Sequence, residues 1–206
     1  MKVLIIGSGG HARIVADILL AMKGVEPQGF ISQDVAQGSA GPLGLPVLGG
    51  DEAVDKIEHD AVVVAIGDNR LRHKLYDRLI AAGETLISAV HPTAIIAPDV
   101  AVGKGCMVCA GVIVNTGSRI GDNAILNTGC TVDHDCVVGQ HVHVAPGVNL
   151  AGDVTVGQGA FVGIGSSVVP GVTIGDWATV GAGAVVISDV SESSVVVGVP
   201  AKLLGK

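Results

Sequence analysis

A histidine set between two carboxylates is the first place in this chain where residue types and spacing offer chemistry. His134 stands in TVDHDCVVG, with Asp133 before it and Asp135 after it. A carboxylate beside an imidazole holds its tautomer and favours the imidazolium that forms when the ring takes a proton, as a general base requires. The alternative is a solvated corner histidine with no task, and both readings stand on spacing alone. A second candidate is GSGGHA at 7–12. Glycines between a strand and a helix start leave N–H groups and a helix dipole facing an anion. The run fits G-x-G-x-x-G/A, so a dinucleotide is one reading, but the following strand ends in Ser32-Gln33-Asp34 with no clear ribose acid beyond Asp34. CMVC at 106–109 has no second C-x-x-C and no spaced histidine pair, so its cysteines read as buried small residues rather than metal ligands.

Two kinds of element must position these groups. Residues 1–90 alternate strand and helix. KVLIIG (2–7), PQGFIS (27–32) and AVVVAIG (61–67) are short aliphatic runs suited to buried parallel strands. Between them, Ile14, Ile18 and Ala21, beside Val15, Leu19 and Met22, predict a helix stopped at Gly24. A short helix is expected over DEAVDKIE (51–58), after a Gly/Pro-rich stretch at 38–50. A second long helix over DNRLRHKLYDRLIAAG is expected to bury Leu71, Leu75, Leu79 and Ile80, with Asp68 or Asn69 as N-cap and Gly83 as stop. This is a small Rossmann-like α/β domain with a parallel sheet.

From residue 96 the period becomes six. Ile96, Val102, Val108, Val114, Ile120, Leu126, Val132, Val138, Val144, Leu150, Val156, Val162, Val168, Ile174, Val180 and Val186 are all aliphatic, without an insertion. Four places after most of them comes a small residue or valine, Cys106, Cys130 and Cys136 among these. Val-Gly or Ile-Gly recurs every eighteen residues, at 102–103, 120–121, 138–139, 156–157 and 174–175. Six residues per face and eighteen per turn describe a triangular prism of stacked parallel coils, whose axis takes the aliphatics and whose paired glycines let the chain bend at corners. Exposed ends of such a stack need caps, and the α/β unit and the tail after Val190 are the available ones. A narrow prism also explains why the chain is 49% hydrophobic yet only 2% aromatic, with 31 glycines.

The hexad pattern over roughly 95–205, with GVPAK at 198–202, resembles the hexapeptide-repeat left-handed β-helix acyltransferases. With GSGGHA and AIGDNRLR included, nearly the whole chain resembles bacterial nucleotide-sugar N-acetyltransferases of the bacillosamine and perosamine type, and the sialic acid O-acetyltransferases grouped with them. The resemblance implies a nucleotide-sugar-binding domain at 1–90 and an acetyl-CoA-binding catalytic β-helix at 91–206. It also implies a homotrimer with active sites between subunits. It makes His134 the base, with Asp135 where the family often has Glu, and Gly152 the N–H donor to the thioester oxygen. It places His143, Ile164, Gly181, Ala182 and Lys202 along acetyl-CoA. Asn127, Gly9, Gly10, His11, Ser32, Gln33, Gly67, Asp68 and Asn69 fall on the UDP- or GDP-linked sugar, although the family's acids are missing at Ser32 and Gln33. His141 has no such counterpart and reads as a surface residue.

Composition narrows the alternatives. A net charge of −7 argues against nucleic acid and anionic membrane as partners. No apolar run approaches the ~20 residues of a membrane span, the N-terminus lacks a signal-peptide pattern, and four cysteines fit a reduced cytosolic compartment. The expected reaction is acetyl transfer to the 4-amino group of a nucleotide-linked 4-amino-4,6-dideoxy sugar, with no metal required. The alternatives are O-acetylation of a sialic-acid-type sugar, a trimeric β-helix hydratase using His134, His141 and His143 on a metal, and a non-catalytic nucleotide-sugar binder.

Overall fold

In a computed structural model that describes residues 1–205, the run Lys2–Ile6 becomes β1, the centre of a small parallel sheet. Chain and space order differ: β3 (Val47–Gly49), β2 (Glu26–Ile31), β1 and β4 (Ala61–Val64) lie side by side. All three pairings are parallel. Helix α1 (Gly10–Ala21) follows β1 and buries Ala12, Val15, Ala16, Ile18 and Leu19. Met22 N–H closes it onto the Ile18 and Leu19 carbonyls, and Gly24 turns away at φ +77°. Helix α2 (Asn69–Ala81) follows β4, its start capped by the Asp68 carboxylate, which accepts from Leu71 N–H at 2.7 Å.

Three sequence expectations for this unit need correction. The Gly/Pro-rich stretch contains β3, because Gly29 and Gly41 lack the β-carbons that would strike Pro46 O, Leu48 and Phe30 as the chain folds back on β2. The helix expected over 51–58 is a 3-10 segment, Asp51–Lys56. The buried face of α2 holds Asn69, Arg72, Tyr76 and Leu79, while Leu71 and Ile80 are exposed and Leu75 only half-buried. Arg72 turns inward because its guanidinium finds the carbonyls of Ile66 and Gly67, each at 3.2 Å, and a buried cation must be paired with acceptors. Elsewhere His59 donates from Nδ1 to Ile57 O at 2.7 Å and meets Glu84 through Nε2 at 2.9 Å, tying the chain before β4 to the chain after α2.

The chain divides into two compact units, Met1–Pro92 and Thr93–Lys206. The second is a left-handed parallel β-helix. Two-residue strands eighteen residues apart pair in parallel and in register, as Ile125 with His143 and His143 with Phe161. They form three faces, one running through Thr131–Val132 and Asn149–Leu150, the next through Val137–Val138, the third through His143–Val144. The inward aliphatics from Val108 to Val186 are buried, and so are the residues four places after them, from Cys106 to Ala184. Ile96 and Val102, in the first coil, are half-buried. At the far end, Val195–Val197 joins the third face in parallel and Lys202–Leu203 folds back on it antiparallel.

The paired glycines were expected to bend the chain, but they do a different job. At Gly121, Gly139 and Gly157 a β-carbon would stand 2.6–2.9 Å from the backbone N of the next coil, so these positions are glycine to admit close approach. The corner itself turns three residues after each inward aliphatic. From Gly105 to Gly183, every sixth residue has φ between +55° and +76°. Most are glycine; Asn123, Asp135, His141, Asp153 and Trp177 are not.

Candidate active site

His134 lies on the edge that follows the Thr131–Val132 strand, where the chain leaves one face for the next. Its side chain is 52% exposed. Nδ1 donates to Asp135 Oδ2 at 2.9 Å, which leaves Nε2 as the lone-pair nitrogen. Asp135 can reach back because its own φ is +58°, and its Oδ1 occupies space that a β-carbon on Gly117 would fill. On the other side, Asp133 Oδ1 accepts from His134 N–H and from Asn115 Nδ2, both at 2.8 Å. Below the turn, Ser118 Oγ donates to Asp133 O at 2.7 Å and accepts from Cys136 N–H at 3.0 Å. The imidazole rests on Gly152, where a β-carbon would come within 2.5 Å of Cε1 and Nε2. Bonding to Asp135, only partly offset by desolvation, raises the imidazole pKa above its usual value, with Asp133 and Asp153 adding to it. This constellation can take a proton at Nε2 and hold the resulting charge.

The other histidines turn elsewhere. His141, expected at the surface, is 2% exposed, and its Nδ1 lies 2.9 Å from Asn123 Nδ2. His143 is buried too, its Nε2 3.1 Å from Asn127 Nδ2 and its ring edge-on to Phe161 with centroids 5.2 Å apart. Asn127 Oδ1 accepts from Thr128 N–H at 2.8 Å, so the side chain expected to meet a sugar is occupied within its own coil. Ile164 and Ala182 are exposed at equivalent points of successive coils, joined by Gly183 N–H to Ile164 O at 2.8 Å. Gly181 is glycine because a β-carbon there would meet Val197 Cγ1 at 2.7 Å. Lys202 is exposed and lines a cavity of about 330 Å³ with Asp189 and Ser191. Asn127, Ile164, Gly181 and Ala182 all sit on the edge that follows the His143 face. His134, Asp135 and Gly152 sit on the edge that follows the Thr131 face. The chain therefore brings the proposed base and its N–H donor together and leaves Ile164, Gly181 and Ala182, proposed to meet the cofactor, on a different edge.

In the α/β unit, the sheet order puts the switch in the direction of strand addition between the parallel β1 and β4, and open parallel sheets bind ligands at the strand C-termini of such a point. Gly9, Gly10 and His11 lie past β1 there, and Gly67, Asp68 and Asn69 past β4. Nothing stands within 4 Å of a β-carbon built on Gly9 or Gly10, so the start of α1 is open to a ligand backbone or phosphate. His11 packs on Gly67, its Cδ2 2.2 Å from where a β-carbon would be, and burial, then the Arg72 charge, lowers its pKa. Ser32 Oγ accepts from Ser8 Oγ at 2.8 Å and from Asp34 N–H at 3.3 Å, so the residue after β2 is spent on shaping the loop. Gln33 is exposed beside it. Ser8 and Arg13 line a neighbouring cavity of about 370 Å³. The sequence reading missed Arg72, Asn115, Gly117 and Ser118. Only Ser118, one of two hydroxyls (with Ser166) at a position otherwise apolar, left a signal in the repeat.

The PglD N-terminal domain family matches residues 2–79, and the bacterial transferase hexapeptide family matches 117–152 and 153–188. The perosamine N-acetyltransferase from Caulobacter crescentus, solved as a histidine-to-asparagine variant in complex with CoA and GDP-perosamine, is 44% identical. The match covers 100% of this chain and 98% of that one, with a TM-score of 0.95. This chain belongs to the nucleotide-sugar N-acetyltransferases. The chain also matches the GDP-perosamine N-acetyltransferase of Escherichia coli O157:H7, at 31% identity over 84 residues, 41% of this chain and 38% of that protein. The UDP-N-acetylbacillosamine N-acetyltransferase of Bacillus subtilis (strain 168) is 32% identical over 113 residues, 53% of this chain and 51% of its own length. The chain thus spans 38% and 51% of these two curated relatives in alignment, and 98% of the solved one. Among its described residues no helix is long and apolar enough to cross a membrane.

Proposed function

We propose that the protein transfers the acetyl group of acetyl-CoA to the 4-amino group of a UDP- or GDP-linked 4-amino-4,6-dideoxy sugar. The observation that carries this reading is the His134 imidazole seated on Gly152 with Nδ1 held by Asp135, in a chain aligned end to end with an enzyme solved with CoA and GDP-perosamine. His134 Nε2 takes the proton as the amine attacks the thioester carbonyl, and Asp135 stabilises the imidazolium. The Gly152 N–H supports the oxyanion, which then collapses to expel CoA thiolate; the proton on His134 can return to it. In this reading Gly9, Gly10, His11, Ser32, Gln33, Gly67, Asp68 and Asn69 hold the nucleotide sugar. His143, Ile164, Gly181, Ala182 and Lys202 lie along CoA. Because base and cofactor residues occupy different edges of one prism, the complete site draws an edge from a neighbouring copy, consistent with a homotrimer. Four free thiols suit a cytoplasmic enzyme.

The test is thiol release from acetyl-CoA against a panel of UDP- and GDP-linked 4-amino-4,6-dideoxy sugars, with a sialic-acid-type hydroxyl acceptor alongside. The expected result is turnover on one amino sugar, lost in His134→Ala. Wild-type turnover in that variant would sink the mechanism, and turnover confined to the hydroxyl acceptor would replace the substrate.

A further inference from the structure

The corner position three residues after each inward aliphatic demands a left-handed backbone, which glycine adopts without penalty and a residue with a β-carbon resists. Along the edge that carries His134, this position reads Gly117, Asp135, Asp153 and Gly171 on successive coils. Two aspartates thus stand in a glycine column, one directly above the other, and like charges stacked in register repel. Asp135 is explained by its bond to His134 Nδ1. On the next edge the column holds Asn123 and His141, which explain each other by a 2.9 Å contact, and Trp177, which covers Gly159. Asp153 is the one left over.

Its surroundings point to the same imidazole. Asp153 N–H donates to His134 O at 3.0 Å, and the residue before it, Gly152, forms the floor under Cε1 and Nε2. The coil carrying Asp153 therefore passes on the Nε2 side of the ring, opposite the edge gripped by Asp135. We propose that Asp153 is a positioning residue that acts on His134 from the following coil, stabilising the imidazolium on the side where the proton arrives. The charges that act on this ring are Asp133 and Asp135 from its own coil and Asp153 from the next. The preceding coil presents Thr116 and Gly117, which are uncharged and bound to Asp99. The raised pKa of His134 has Asp153 among its sources, after Asp135 and Asp133.

The inference rests on His134 being the base, and the experiment separates the two. Asp153→Gly and Asp153→Asn are compared with wild type in three measurements: thermal unfolding, the pH profile of kcat/KM, and the NMR titration of the His134 ring, assigned by its absence in His134→Ala. Asp153→Gly should unfold at the same or a higher temperature, since it restores glycine to a left-handed corner. Both variants should lower the His134 titration midpoint, by about 0.3–0.5 pH units for an exposed charge, and less at high salt. The acid limb of kcat/KM should move with it and the plateau fall by no more than about 3-fold, the limit for a Brønsted base weakened by that amount. An unmoved titration overturns the inference, as does a loss of activity that tracks a lower unfolding temperature. A shifted titration combined with wild-type turnover in His134→Ala would leave the coupling intact and remove the base.

Discussion

Gly152 lies directly beneath the His134 ring, so close that a β-carbon on residue 152 would stand 2.5 Å from both Cε1 and Nε2. The backbone of Gly152 is not left-handed, so alanine can adopt it and the conflict falls on the imidazole alone. Gly152→Ala should keep the fold, with an unfolding temperature near wild type, and lose about 100-fold in kcat/KM through a base displaced by roughly an ångström. Thermal unfolding and thiol-release kinetics on one preparation check this.

The pH dependence follows from Asp135. If His134 is the base, it must be neutral to act, and its Asp135 bond raises its pKa, so kcat/KM should fall as pH drops through a midpoint above the ordinary imidazole value. Asp135→Asn tolerates the left-handed corner, keeps the steric relation to Gly117 and removes the charge. Its acid limb should move down toward that of an ordinary imidazole, with a plateau about 10-fold lower, in kcat/KM profiles at constant ionic strength.

In the α/β unit, a β-carbon on Gly67 would strike the His11 ring and disturb the crevice past β1 and β4. Gly67→Ala should raise the KM for the nucleotide sugar about 10-fold while changing that for acetyl-CoA less than twofold. Bisubstrate kinetics separate the two; an equal rise in both would place the crevice elsewhere in the mechanism.

The ion pair of His59 with Glu84 makes a stability prediction. Desolvation lowers the His59 pKa, but the Ile57 carbonyl and Glu84 together outweigh it, so the folded-state pKa is raised above 6.5. A raised pKa contributes stability that is complete below the unfolded value and is lost as pH rises through the folded one. His59→Gln should therefore cost about 1 kcal/mol at pH 6 and less at pH 9, read from denaturant unfolding at both.

The four cysteines should be silent in the native protein. All are buried, and desolvation pushes Cys109 up to about 11 and Cys130 to about 12. A thiol reagent at pH 8 should find none of them before unfolding and all four after, since the thiolate is the reacting form. Cys106 and Cys136, with sulfur directed at the Gly121 and Ala151 carbonyls, follow the same expectation.

The β-helix was legible because a narrow core allows one kind of residue at each sixth position, and the aliphatics from Val108 to Val186 obey it. His134 was legible for its flanking aspartates. The corner geometry was not. The left-handed position is filled by Gly in most coils, but Asn123, Asp135, His141, Asp153 and Trp177 conceal its period, and the more regular Val-Gly pairs drew attention to close approach instead. Strand β3 hid among prolines and glycines because an edge strand of three residues needs little apolar sequence. On α2, apolarity favoured Leu71 and Ile80, whereas the loop carbonyls of Ile66 and Gly67 drew in Arg72. The set around His134 came into view only when coils were stacked, since Asn115, Gly117, Ser118 and Gly152 support it from neighbouring turns.

The uninterrupted six-residue frame also sets how this site can change over time. Gly117, Asp135 and Asp153 meet only because each is eighteen residues from the next. A single residue gained or lost between them would rotate everything beyond it off the edge, parting the base from its floor without altering any side chain. A whole coil of eighteen added outside 115–153 would leave that edge in step. Drift in length is thus quantised here: the lineage can grow by complete turns, while the one-residue slippage that surface loops absorb elsewhere is closed to it.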